Sequence, residues 1–168
     1  MAGCIECGFD YELVVDDFAA AATPLIDAYV GLLQAASATS VQLRPSPSVW
    51  SPLEYACHVR DLLYVQRERV LAARRRDRPV AESMGRDERV EHDGYNDQRP
   101  ADVARELHDS ALLLSNVFRR LSAADWDRTI IYPYPYPDPE PGERSLRWVA
   151  THTLHELHHH LIDVRRQM

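Results

Sequence analysis

The stretch that decides the fold runs Ser145-Leu146-Arg147-Trp148-Val149-Ala150-Thr151-His152-Thr153-Leu154-His155-Glu156-Leu157-His158-His159-His160-Leu161-Ile162-Asp163-Val164-Arg165-Arg166. Trp148, His152, His155, His159 and Ile162 recur at spacings of 4, 3, 4 and 3. That rhythm predicts a helix from about Ser145 to Arg166, packed against neighbours at a small crossing angle.

The same rhythm appears three more times. A first helix is expected from about Asp10 to Ala36, on Val14, Phe18, Ala21, Leu25, Ala28 and Leu32. Pro24 lies inside it and should kink or split it. A second runs from Ser51 to about Arg75, with Tyr55, His58, Leu62 and Val65 on its stripe. Ser51-Pro52-Leu53-Glu54 reads as an N-cap, a proline at the first helical position and an acid three residues later. A third runs from Pro100 to about Leu121 on Val103, Leu107, Ser110, Leu114, Val117 and Leu121. The fold class is therefore all-α, a four-helix bundle. The stretch 77–99 is long for a bundle connection and should cross from the second helix to the third. Between the last two helices, Tyr132-Pro133-Tyr134-Pro135-Tyr136-Pro137-Asp138-Pro139 cannot be helical and reads as an extended arm.

The chain has 168 residues, which suits one domain with a core of its own, residues 1–168, of which residues 1–9 are a Cys-x-x-Cys N-terminal tail. No uninterrupted apolar run reaches the roughly 18 residues of a membrane span, and no basic segment leads into an apolar one at the N-terminus. A net charge of −7 argues against a nucleic-acid partner. Arg74-Arg75-Arg76 reads as a helix-end cluster suited to the dipole. Three cysteines, Cys4, Cys7 and Cys57, do not make a disulfide framework, so a reducing cytoplasm is the expected compartment.

Five of the eight histidines fall within residues 152–160. On a helix, positions i and i+4 lie about 40° apart and roughly 6 Å along the axis, so His155 and His159 can reach one ion. His155-Glu156-Leu157-His158-His159 has the His-Glu-x-x-His spacing of metalloproteases, but that spacing alone is weak support for a protease. Three imidazoles on an apolar stripe are costly to bury unless they are paired or bound, and a metal that takes neutral imidazole removes that cost. A third ligand should come from another helix. His58 lies mid-helix on its stripe; His92 and His108 are the other candidates. His160 falls off the stripe and should matter little.

These residues resemble the DinB-like superfamily, which takes in the maleylpyruvate isomerases and related thiol transferases. The resemblance rests on Trp50-Ser51-Pro52-Leu53-Glu54 with His58, and on Trp148 with His155-Glu156-Leu157-His158-His159, and spans roughly residues 10–166. It implies a four-helix bundle with a long connection between helices two and three. It also implies one divalent metal ion, zinc or nickel, held by His58, His155 and His159. Many relatives carry Arg-Gly-Gln where this chain has His160-Leu161-Ile162, so a particular substrate does not carry over.

An open position on three histidines can activate water or a thiol. By that analogy the chain is expected to act on a small-molecule substrate, with mycothiol or a similar low-molecular-weight thiol as cosubstrate, as an S-transferase or isomerase. A metal-dependent hydrolase and a non-enzymatic metal-binding stress-response module are the alternatives. No catalytic residue is assigned, and a homodimer is compatible with the sequence. Glu54 could orient His58 or serve the helix N-terminus. Asp61 and Asp163 read as solvated helix surface. Cys4-Ile5-Glu6-Cys7-Gly8-Phe9 is half of a zinc-knuckle pattern; a second metal site, a redox pair and a plain tail are all open to it, with the tail favoured. Tyr95 and the Tyr-Pro arm could line the pocket mouth.

Overall fold

The computed structural model describes residues 3–13, 15–132 and 142–168. Its helices are α1 (Phe18–Ala35), α2 (Ala38–Gln42), α3 (Pro52–Arg75), α4 (Arg86–His92), α5 (Pro100–Phe118), α6 (Ala123–Trp126) and α7 (Leu146–Arg165). The four long ones, α1, α3, α5 and α7, make the bundle: α1 and α3 each pack against both α5 and α7. Val14 and the Tyr-Pro arm at 133–139 lie outside the described residues.

Local chemistry sets the helix starts. Ser51 and Glu54 form the expected capping box, with Pro52 at the first helical position. The Ser145 side chain accepts from the Trp148 backbone N–H to open α7. The expected start of the first helix is corrected: Asp17 caps α1 by accepting from the Ala20 N–H, so the described residues between Asp10 and Asp16 are not part of it. Nor does Pro24 split α1, which runs unbroken through it. Pro24 is on the exposed side, where the carbonyl it leaves without a helical partner can be hydrated.

The connection after α3 is not featureless. Val80 pairs in parallel with Ile131, and α4 and a 3-10 turn (Tyr95–Asp97) follow. A two-stranded antiparallel ribbon, β1 (Thr129–Tyr132) with β2 (Gly142–Ser145), leads into α7. Tyr95 is fully buried and its hydroxyl donates to Asp61 at 2.8 Å. Asp61 is therefore no surface carboxylate: it is buried and also pairs with Arg60 and Arg89.

The core stripe of α5 is as expected on Val103, Leu107, Ser110, Leu114 and Val117. That of α1 is one residue displaced, on Phe18, Ala22, Ile26, Tyr29 and Leu33, with Ala21, Leu25, Ala28 and Leu32 flanking it. At 18 residues and a mean hydropathy of 1.3, α1 is long and apolar enough to cross a membrane by length and composition alone. In this fold, its buried face goes into the bundle.

The displacement that matters most is on α7. Its apolar core residues are Leu146, Val149, Ala150, Leu154, Leu157, Leu161 and Val164. The histidine stripe lies beside this leucine stripe and does not form the centre of the bundle. The N-terminal segment helps cover it: Phe9 and Tyr11 rings sit 5.5 and 5.1 Å from His155.

Candidate metal centre

Helix α7 carries two interleaved i, i+4 pairs, His155 with His159 and Glu156 with His160. Neighbouring residues on a helix diverge by about 100°, so the two pairs must face different surroundings. Glu156 and His160 turn toward α3, where they meet His58. Donor atoms of His58, Glu156 and His160 all lie within 4.8 Å of one another. His155 and His159 turn toward the N-terminal segment, where they meet Cys4 and Cys7 in a second group of the same tightness. Among the described residues, His58, His155 and His159 do not come together as one donor group. His92 and His108 are exposed, and His108 is near Asp27 at 3.6 Å.

His58 is held deep in the fold, 3% exposed, by a helix whose first turns are almost wholly buried. Its ring stands 5.3 Å from Trp50 and 5.0 Å, edge to face, from His160. Tyr55 lies 5.3 Å from His160 on the other side. The Nδ1 of His58 is buried without a hydrogen-bond partner. Burial, helped by the neighbouring His160, pushes this imidazole down to about 3, so it is neutral and a lone pair is available.

Glu156 is the charge of the group. Burial alone would raise its carboxyl, but hydrogen bonds from His155 and His160 outweigh that and hold it well below the usual range. Its Oε2 is 3.6 Å from His160 Nε2. The other nitrogen of His160, Nδ1, is 3.1 Å from Asp163 Oδ2. Burial opposes protonation of His160, yet the Asp163 and Glu156 carboxylates raise it to about 9. Asp163 is thus a partner of the site and not the solvated acid expected of it. His160, expected to matter little, joins His58 and Glu156 in this donor group.

Glu54 does not reach His58 as an acceptor. It accepts from the Ser51 N–H at 2.7 Å and from the Arg44 guanidinium, which accounts for both its oxygens.

In the second group, Cys4 Sγ is 3.9 Å from His159 Nδ1. Burial works against ionising Cys4, but hydrogen bonds from the Cys7 backbone and from His155 bring its thiol down to about 6. Burial raises the Cys7 thiol, with the nearby Cys4 sulfur adding to it. His155 Nδ1 lies 2.9 Å from Glu156 Oε1. Cys57 is separate, buried at the side of α3 that faces Tyr95 and Gln98, and burial pushes its thiol to about 12.

A buried imidazole with an orphaned nitrogen, a half-buried carboxylate and a second imidazole form a donor set that fits a divalent ion and leaves coordination positions open. The profile of the DinB superfamily matches residues 24–164. The chain belongs to the DinB superfamily. Among solved structures, this DinB chain is similar to YfiT from Bacillus subtilis, a probable metal-dependent hydrolase with an unusual four-helix bundle topology. The TM-score is 0.76 at 12% identity, covering 89% of this chain and 83% of that one. It is also similar to the mycothiol-dependent maleylpyruvate isomerase, with a TM-score of 0.71 at 13% identity. That match covers 92% of this chain but 62% of the isomerase, so the chain spans less than two thirds of the isomerase's length. These likenesses bear out the four-helix fold. No curated protein sequence matches the chain.

The sequence contained the signal for the second pair. Glu156-x-x-x-His160 has the same spacing as His155-x-x-x-His159. Reading Trp148 and Ile162 as the core stripe, when both are only partly buried, selected the other pair.

Proposed function

We propose that this DinB chain is a divalent-metal-dependent enzyme whose ion is held by His58, Glu156 and His160. The observation that carries the reading is the meeting of donor atoms of His58, Glu156 and His160 within 4.8 Å of one another, at a His58 that is buried with its Nδ1 unpartnered. Relative to the triad expected from sequence, His58 is kept, and Glu156 and His160 replace His155 and His159. A bound zinc- or nickel-class ion would supply Lewis acidity, lowering the pKa of a coordinated water or thiol.

The residues around the site divide the remaining work. Asp163 fixes the ring of His160 through Nδ1 and turns Nε2 toward Glu156. Trp50 and Tyr55 flank the two imidazoles with aromatic surface, which limits water around them. The nucleophile we favour is a low-molecular-weight thiol of the mycothiol type, in an S-transfer or isomerisation of a small electrophile. The likeness to the mycothiol-dependent isomerase supports this choice. Hydrolysis is the second reading: two histidines and a glutamate are the donor set of several zinc hydrolases, and YfiT is a structural relative.

The test is turnover of a panel of small electrophiles by metal-loaded protein, with and without mycothiol. Thiol-dependent turnover that disappears in His160→Ala supports the transferase reading. Turnover of esters or amides without thiol supports the hydrolase. Full turnover by a His58→Ala, His160→Ala variant excludes both.

A further inference from the structure

We propose that Cys4, Cys7, His155 and His159 form a separate, closed tetrahedral site for a zinc-class ion, which fastens the N-terminal segment onto α7.

Four donor atoms from these residues lie within 4.8 Å of one another. In a tetrahedral site with Zn–S near 2.3 Å and Zn–N near 2.0 Å, donors stand about 3.3–3.8 Å apart. The 3.9 Å between Cys4 Sγ and His159 Nδ1 is close to that range. The spacings are also those of such sites, Cys-x-x-Cys followed far along the chain by His-x-x-x-His.

The cysteine half is a built turn. The Cys4 N–H donates to the Phe9 carbonyl and the Gly8 N–H to the Cys4 carbonyl, each at 2.8 Å. Gly8 has φ +72, a conformation that a side chain would strain. The turn presents both sulfurs to the helix. The histidine half is oriented by carboxylates, as metal-bound imidazoles commonly are. His155 Nδ1 meets Glu156 at 2.9 Å, and His159 Nε2 meets Glu6 at 3.5 Å and Asp163 at 3.8 Å. His159 thus turns its other nitrogen to Cys4.

The segment needs such an anchor. Ile5 is fully exposed and Leu13 is 47% exposed, so neither holds the segment down by apolar burial. Phe9 and Tyr11 lie on the histidines themselves, and the Tyr11 hydroxyl is 3.0 Å from His152 Nδ1. With two thiolates and two imidazoles, the site has no open position and suits zinc over a hard oxygen-seeking cation. It is structural, and it does not depend on the proposed enzyme.

Cobalt(II) titration of full-length, chelator-stripped protein, under a phosphine reductant and with no added thiol, tests the site. The expected result is a sulfur-to-cobalt charge-transfer band in the near ultraviolet that saturates at one equivalent of thiolate-bound ion. The band should vanish in Cys4→Ser, Cys7→Ser and persist in His58→Ala. Should the serine variant fail to fold, His159→Cys decides: its three thiolates should keep the ion and raise the band by about half. No band in the unaltered protein, or one that survives Cys4→Ser, Cys7→Ser, overturns the proposal. So does a band lost in His58→Ala. Total metal content of His58→Ala reads the other site separately, so either proposal can fail without the other.

Discussion

Glu156 joins the two donor groups: its Oε1 lies 2.9 Å from Nδ1 of His155, while its Oε2 faces Nε2 of His160 at 3.6 Å. One carboxylate is therefore a donor to the His58 group and the orienting partner of an imidazole in the cysteine group. Asp163 makes a similar pair of approaches, to His160 at 3.1 Å and to His159 at 3.8 Å.

Glu156→Gln keeps the shape and removes the charge. The ion on His58 and His160 should bind at least about 10-fold more weakly, and the cysteine site should lose a smaller factor. Competition against a chromophoric chelator reads both affinities. Unchanged binding at both sites would remove Glu156 from the account.

Acid should destabilise the metal-free protein through His152. Its ring is buried, stacks on Trp148 at 4.5 Å, and burial pushes it from 6.5 down to about 4. Above about pH 6.5 this imidazole is neutral whether the chain is folded or unfolded, and its contribution is fully present. Between about 6.5 and 4 the unfolded chain takes up a proton that the folded chain refuses, so stability falls with pH. The loss should approach about 3 kcal/mol before levelling off. Urea melts of the unaltered protein and His152→Gln, across this range, should show a shallower pH slope in the variant. Equal slopes would contradict the assignment.

Much of this was legible in the sequence. The capping box at Ser51 and Glu54, the Pro100 start and the alternating apolar spacing marked the four long helices because those signals are local. The α7 register was harder. Its leucine stripe and its histidine stripe are both buried, one by the bundle and the other in part by Phe9 and Tyr11. Only tertiary placement of the N-terminal segment distinguishes them. The ribbon and Val80 pairing were missed because short strands here depend on contacts from distant parts of the chain. Asp61 looked like surface for the same reason, since Tyr95 and Arg89 arrive from the connection after α3.

That buried network should be costly to break. Asp61 accepts from Tyr95 and pairs with Arg60 and Arg89, and Arg60 is itself buried. Asp61→Ala leaves that guanidinium with less compensation and should cost about 3 kcal/mol. Glu106, 2.7 Å from Arg60, offsets part of the loss. Denaturant midpoints measure the change; a difference below about 1 kcal/mol would show that the network contributes little.

Thiol reactivity should separate the three cysteines. Cys57 is fully buried with its thiol pushed to about 12, so it should resist iodoacetamide until the protein unfolds. Cys4 and Cys7 should be protected in zinc-loaded protein and alkylate rapidly once chelator is added. Mass spectrometry counts the adducts: none when loaded, two after chelation, three after denaturation. Alkylation of Cys57 in the folded protein would contradict its burial.

Metal content in a Cys4→Ser, Cys7→Ser background distinguishes the two histidine registers that α7 offers to an ion on His58. There, His58, Glu156 and His160 should hold one divalent ion per chain. Adding His160→Ala should abolish that ion, and adding His159→Ala should leave it in place. Retention in the His160→Ala protein with loss in the His159→Ala protein would overturn this donor set and return the site to His58, His155 and His159.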